Sequence, residues 1–197
     1  MHGEPIEAVK NGVQTLLTTL KQDPYALETA YVSVITFDSS ARQVVPLTDL
    51  LSFQMPALTA SGTTSLGEAL TLTASSIAKE VQKTTADTKG DWRPLVFLMT
   101  DGSPNDDWRK GLNDFKAART GVVVACAAGH DADTSVLKEI TEIVVQLDTA
   151  DSSTIKAFFK WVSASISVGS QKVESSKKEV IGLEDLPPPP PEVNVVL

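Results

Sequence analysis

The 197-residue chain is long enough for one α/β domain with its own core and short for two. Its 42% hydrophobic and 21% charged residues are a soluble globular balance, and a formal net charge of −8 argues against general nucleic-acid or anionic-membrane binding, which select basic surface. One cysteine excludes an internal disulfide, no apolar stretch reaches the length of a membrane span, and no signal peptide opens the chain, so a cytoplasmic protein is expected.

Residues about 4–22 set Ile6, Val9, Val13, Leu16, Leu17 and Leu20 on one helical face, with Pro5 tolerated in the first turn. The β-rich run Tyr31–Phe37 follows, ended by Asp38-Ser39-Ser40. Arg42–Pro46 reads as its hairpin partner, and Pro46 demotes that partner to an edge. A second helix is predicted over about 66–83, with Leu66, Leu70, Ile77 and Val81 on one face and a capping-box pattern from Ser65 and Glu68. The unbroken apolar run Pro94–Thr100 suits a central parallel strand buried on both faces. Beyond it come a helix over about 106–119 (Trp108, Leu112, Phe115), a strand Val122–Ala128 and a short helix near 133–140. The strand Ile143–Leu147 and a last helix, capped by Asp151 and burying Ile155, Phe158, Phe159, Val162 and Ile166, complete the series. Cys126 sits inside the Val122–Ala128 run and reads as a core residue rather than a reactive thiol.

Strand–helix alternation of this kind predicts an α/β fold: a doubly wound, mostly parallel sheet with helices on both faces and one antiparallel edge strand. The domain is expected over residues 1–168. Residues 169–197 are polar and carry the run Pro187–Pro191, and they read as a solvated, proline-rich tail with a polyproline II segment.

In such a sheet, ligands gather at the carboxyl ends of the strands. Asp101 ends the most apolar strand and is followed by Gly102-Ser103-Pro104. The loop Ser61-Gly62-Thr63-Thr64-Ser65 precedes the helix near 66 and offers several hydroxyls. Hydroxyls with a carboxylate are hard oxygen donors, suited to Mg²⁺ or Ca²⁺ rather than zinc. By composition alone, a plain Asp-Gly turn and a simple helix cap account for the same residues.

The stretch Ser61–Leu70, the strand Val96–Thr100 running into Asp101–Asp106, and the spacing between them resemble the von Willebrand factor A (VWA) family, in particular the bacterial tellurium-resistance VWA proteins of the TerY type. The resemblance covers residues 1 to about 168. It implies a metal-ion-dependent adhesion site in which Thr63 and Asp101 hold Mg²⁺ (or Ca²⁺ or Mn²⁺). Asp106 and Asp107 read as caps of the helix that follows, and a place for Asp106 behind Asp101, without touching the ion, is the alternative. The resemblance further implies a non-catalytic module that binds a partner protein through that protein's Asp or Glu, in a chemical-stress system with kinase-like and phosphatase proteins as partners. No nucleic-acid or membrane partner is expected. The family's first strand and its Asp-x-Ser-x-Ser loop have no counterpart, and Met1–Ile6 resembles the stretch just after that loop. The resemblance thus implies a chain that starts inside the domain and leaves Thr63 and Asp101 as a half-site.

A scaffold with a decayed metal site is the alternative, and a metal-dependent phosphohydrolase using Asp38 and Asp101 is a further one. Neither His2 nor His130 lies in a general-base motif, and His130 is expected to be a surface residue. Phosphate-loop and nucleophile-elbow motifs are missing, so no enzymatic activity is expected.

Overall fold

The computed structural model describes residues 3–129, 132–176 and 182–196; His2 and His130 lie outside them. The first amphipathic stretch forms α1 (Glu4–Gln22), with Pro5 in its first turn and Leu16, Leu17 and Leu20 buried. Gly12 lets α1 lie close to the last helix, since a Cβ there would stand 2.2 Å from the Phe159 ring. A short α2 (Pro24–Thr29) was not expected. Asp23 caps it by accepting from the amides of Tyr25 and Ala26, and six residues are too few for a helical period to show in the sequence.

β1 (Tyr31–Phe37) and β2 (Ala41–Asp49) form an antiparallel hairpin, with Tyr31 opposite Asp49 and Phe37 opposite Ala41. After α3 (Leu66–Glu80) comes β3 (Val96–Thr100), then α4 (Trp108–Ala117), β4 (Val123–Ala128), α5 (Thr134–Ile140), β5 (Ile143–Leu147) and α6 (Ser152–Ser176). Strands β3, β4 and β5 pair in parallel, and β6 (Asn194–Val196) adds an antiparallel edge to β5. The α/β architecture is the one expected. The antiparallel β2, however, belongs to a two-stranded sheet with β1 rather than to the edge of the larger sheet.

The alternation along β4 shows how the sheet is covered. Val124, Cys126 and Ala128 face a cluster with Leu16, Leu20, Ile155 and Phe158 of α1 and α6. Ala125 and Ala127 face another, with Leu66, Leu112, Phe115 and Leu137 of α3, α4 and α5. The Cys126 thiol is buried as expected, and burial raises its pKa far above the ordinary thiol value.

Strands β1 and β3 both take part in these two clusters. Val32, Val34, Phe97 and Met99 pack on the α1/α6 side, and Phe37, Val96 and Leu98 on the α3/α4 side. Yet Val96 to Met99 are all only half-buried, whereas Val124, Ala125, Cys126 and Ala127 of β4 are at 0% exposure. With both faces of β3 covered, its exposure enters along its edge. Among the described residues, β3 ladders only with β4 and β1 only with β2. Both faces of β3 are covered as expected, but the strand is not central: among the described residues it is an edge strand of its sheet, and its open edge lies toward the open edge of β1.

The C-terminal segment also corrects the sequence reading. Asp151 caps α6 as expected, accepting from the amides of Ser153 and Thr154, but the helix continues to Ser176. Residues 182–196 then form a strap rather than a solvated tail. Leu186 and Val193 are buried in the α1/α6 cluster, the Trp161 indole donates to the Pro187 carbonyl at 2.7 Å, and Lys172 pairs with Asp185. Five prolines offer no amide donors, so Pro187–Pro191 can only cross the surface, and the two apolar anchors flank it. Trp161→Phe keeps the ring packing and deletes the indole donor. It is expected to cost about 1 kcal/mol in thermal denaturation, with amide exchange at Val195 and Val196 accelerating before that of β4.

Candidate functional site

Three loops meet where β1 and β3 end. The loop after β1 carries Asp38, Ser39 and Ser40, the loop before α3 carries Ser61–Ser65, and the loop after β3 carries Asp101–Asp107. The Ser65 amide donates to the Asp38 carbonyl at 2.8 Å, and the Asn105 amide donates to the Thr64 carbonyl at 3.0 Å. Because the Ser61–Ser65 loop bonds the C-terminal ends of both strands, β1 and β3 point their carboxyl ends the same way.

The first contact is between the loops of β1 and α3. Ser61 Oγ donates to Asp38 Oδ2 at 3.1 Å, and the Thr63 amide donates to Ser39 Oγ at 3.3 Å. Gly62 makes this approach possible: its φ is +76°, and a Cβ would stand 1.9 Å from Ser39 Oγ. The Ser40 amide, and next the Ser61 hydroxyl, hold the Asp38 carboxyl below the usual carboxylate range.

The second contact locks α3 to the loop after β3. The Thr64 amide donates to Asn105 Oδ1 at 2.8 Å. Asp106 accepts from the Gly67 amide at 3.0 Å and from the Glu68 amide at 2.9 Å. A carboxylate on another element thus caps α3, at the end where the helix dipole is positive. The expected Ser65–Glu68 capping box does not form, since Ser65 makes no side-chain cap bond. Nor does Asp106 cap α4: Asp107 occupies that position, without a side-chain cap bond. Behind the loops, α3 and α4 touch backbone to backbone, and a Cβ on Gly111 would lie 2.0 Å from the Gly67 carbonyl oxygen.

Thr63 is exposed and Asp101 half-buried. Their immediate neighbours Thr64 and Gly102 come close, a Cβ on Gly102 standing 3.3 Å from Thr64 Oγ1. The two predicted ligands therefore sit on loops fixed to each other. Among the described residues, no three carboxylate, imidazole or thiolate groups converge on one point. The donors at this face are instead hydroxyls with a carboxylate, a hard-oxygen set that suits Mg²⁺, Mn²⁺ or Ca²⁺. Asn105 and Ser39, which position these loops, were missed in the sequence because a side chain that bonds a distant backbone amide leaves no local pattern.

Residues 1–160 match the von Willebrand factor type A domain model. The chain belongs to this family. Among solved structures, the VWA domain is similar to the von Willebrand factor type A protein from Catenulispora acidiphila (17% identity, TM-score 0.62), covering 82% of this chain and 38% of that one. It is also similar to proximal thread matrix protein 1 from the mussel byssus (18% identity, TM-score 0.60), covering 82% of this chain and 42% of that one. A form of the mussel protein described with a zinc-occupied metal-ion-dependent adhesion site gives 19% identity and a TM-score of 0.58, with 82% and 42% coverage. The chain thus spans about two-fifths of the length of these structures. No curated protein sequence matches it.

Asp106→Ala is expected to destabilise the domain by about 1 kcal/mol, the worth of a helix cap, with the Gly67 and Glu68 amide resonances shifting most. Asp107→Ala should stay within about 0.5 kcal/mol of the parent. Asp38 supplies a pH test. Its carboxyl is depressed in the fold, so its contribution is present above the ordinary carboxylate pKa of about 4 and is lost as pH falls through the lower folded value. The melting-temperature gap between the parent and Asp38→Asn should therefore be open at neutral pH and close in acid.

Proposed function

We propose that this VWA domain is a non-catalytic binding module that engages a partner protein through a divalent ion at the Thr63–Asp101 face. The observation that carries the reading is the lock formed by Asp106 on the start of α3 and by Asn105 on Thr64. It holds a hydroxyl loop and a carboxylate loop together at the carboxyl end of the sheet. The zinc in the adhesion site of the similar mussel protein supports a divalent ion here.

Thr63 and Asp101 are the residues that would hold the ion. Bound there, the ion supplies an open coordination position for an Asp or Glu of the partner. The chain's own side chains orient the loops: Asp106 fixes the start of α3, and Ser39 and Asp38 fix the loop that carries Thr63. Hard cations take six or more oxygens, and with two protein donors the rest of the shell falls to water or to further residues. The gap between β1 and β3 opens at this same end, and we infer that a strand filling it brings the remaining donors.

We further propose a tellurium-resistance-like stress response in the bacterial cytoplasm as the setting, with kinase-like and phosphatase proteins as partners. The likeness of Ser61–Leu70 and Asp101–Asp106 to the TerY type supports this. No described helix is long and apolar enough to cross a membrane.

Thermal melting with and without excess Mg²⁺ tests the metal. When the chain is preceded by an apolar strand ending in Asp-x-Ser-x-Ser, Mg²⁺ at a hundredfold over its Kd is expected to stabilise by about 2.7 kcal/mol. Thr63→Ala and Asp101→Ala should each abolish that gain, and residues 1–197 alone should show little. No response from the longer chain favours a scaffold with a decayed site. Phosphate-ester turnover that disappears in Asp101→Asn would overturn the non-catalytic reading.

A further inference from the structure

The opposite end of the domain carries a cleft that shares no residue with the metal face. There, at the C-terminal ends of α3 and α4, a cavity of about 140 Å³ is floored by Ala74, Ile77, Ala78 and Val81 and rimmed by Lys83, Trp92 and Arg119. The floor residues fall at helical spacing along one stripe of α3. Ile77 and Val81 are only half-buried and Ala78 is exposed, so the stripe is left partly uncovered.

The loop between α3 and β3 builds one wall and is held in a fixed shape by its own bonds. The Asp91 amide donates to the Gln82 carbonyl at 3.0 Å, and Asp91 Oδ2 accepts from the Gln82 amide at 2.8 Å. The Thr85 amide donates to the Thr88 carbonyl at 2.9 Å, and the Gly90 amide to Thr84 Oγ1 at 3.1 Å. This clip places Trp92 at the rim, with Lys89 Nζ 4.5 Å from its ring centroid. Compact, self-bonded loops of this kind are frequently recognition elements.

The chemistry of the cleft selects its occupant. In a chain of net charge −8, its lining carries Lys83, Arg93 and Arg119 against the single acid Asp91, whose carboxylate already serves the Gln82 amide. Cations beside these helix ends also answer the negative end of each dipole, but that role leaves the α3 stripe unexplained. The volume equals that of about five waters, too small for a drug-sized ligand and suited to one aliphatic side chain.

We propose that this cleft docks an acidic segment of a partner protein. One aliphatic side chain seats on the Ile77–Val81 floor, and flanking carboxylates meet Lys83 and Arg119. The probe is the acetylated, amidated peptide Glu-Glu-Leu-Glu-Glu, titrated into the whole chain while backbone and indole amide resonances are followed. Shifts are expected at Ile77, Val81 and the Trp92 indole. Replacing the peptide's leucine by glycine should weaken binding about tenfold, since an apolar side chain then no longer leaves water. The Lys-Lys-Leu-Lys-Lys peptide should not bind. The double variant K83E/R119E should lose about tenfold or more, and added salt should weaken binding of the parent. Thr63→Ala should leave the titration unchanged, which separates this site from the metal face. Absence of shifts at these residues, equal binding of the lysine or glycine peptide, or full binding by the folded double variant would overturn the proposal.

Discussion

Backbone ladders run across β3–β4–β5–β6 and across β1–β2, but among the described residues none joins β1 to β3. The relative position of the two sheets therefore rests on what packs above and below them and on the loops at their carboxyl ends. Above and below, each apolar cluster draws on both sheets, so the helices span the join like splints. At the ends, the Ser61–Ser65 loop is bonded to Asp38 on one side and to Asn105 and Asp106 on the other. The same hydrogen bonds that shape the candidate metal face also hold β1 and β3 side by side. The geometry of the candidate site and the integrity of the fold share their parts here, and damage to one falls on the other.

Two facing strand edges with apolar side chains are an unusual surface to leave open. The edge amides and carbonyls of β3 must find water as their partner, and Val96, Phe97, Leu98 and Met99 stay half-buried although every one is apolar. Such an edge is a template for pairing with a further strand. By contrast the outer edge of β5 is closed by β6, so the larger sheet is finished on that side. The exposure concentrates in one place, at the carboxyl end of which Thr63 and Asp101 stand.

The parts of this fold legible in the sequence are those governed by local periodicity. Helix α1, strand β5 and the Asp151 cap lie where the residue pattern puts them, because burial on one face imposes a period and a cap imposes a residue type. The hairpin was legible too, but not that β1 and β2 would stand apart, since strand order is set by partners remote in sequence. The capping of α3 shows the same limit: Ser65 and Glu68 carry the local signature, yet Asp106, nearly forty residues on, does the work. Composition misled at the C-terminus. Prolines and charges dominate residues 182–192, while the apolar anchors that dock the strap, Leu186 and Val193, are two residues that flank the proline run. Of the site itself, the residue types and their loops were readable, and the mutual locking of those loops was not.

The strand that closes β5 follows every other described element in chain order. Synthesis is vectorial, and domains begin to fold as they emerge. β4, β5 and α6 can thus assemble while the outer edge of β5 still lacks its cover, and Trp161 waits for the Pro187 carbonyl to arrive. During that interval the nascent domain has edges open at two places, one transient and one persistent. Until the strap crosses the surface and β6 settles, the uncovered edge of β5 is a template for pairing with another chain.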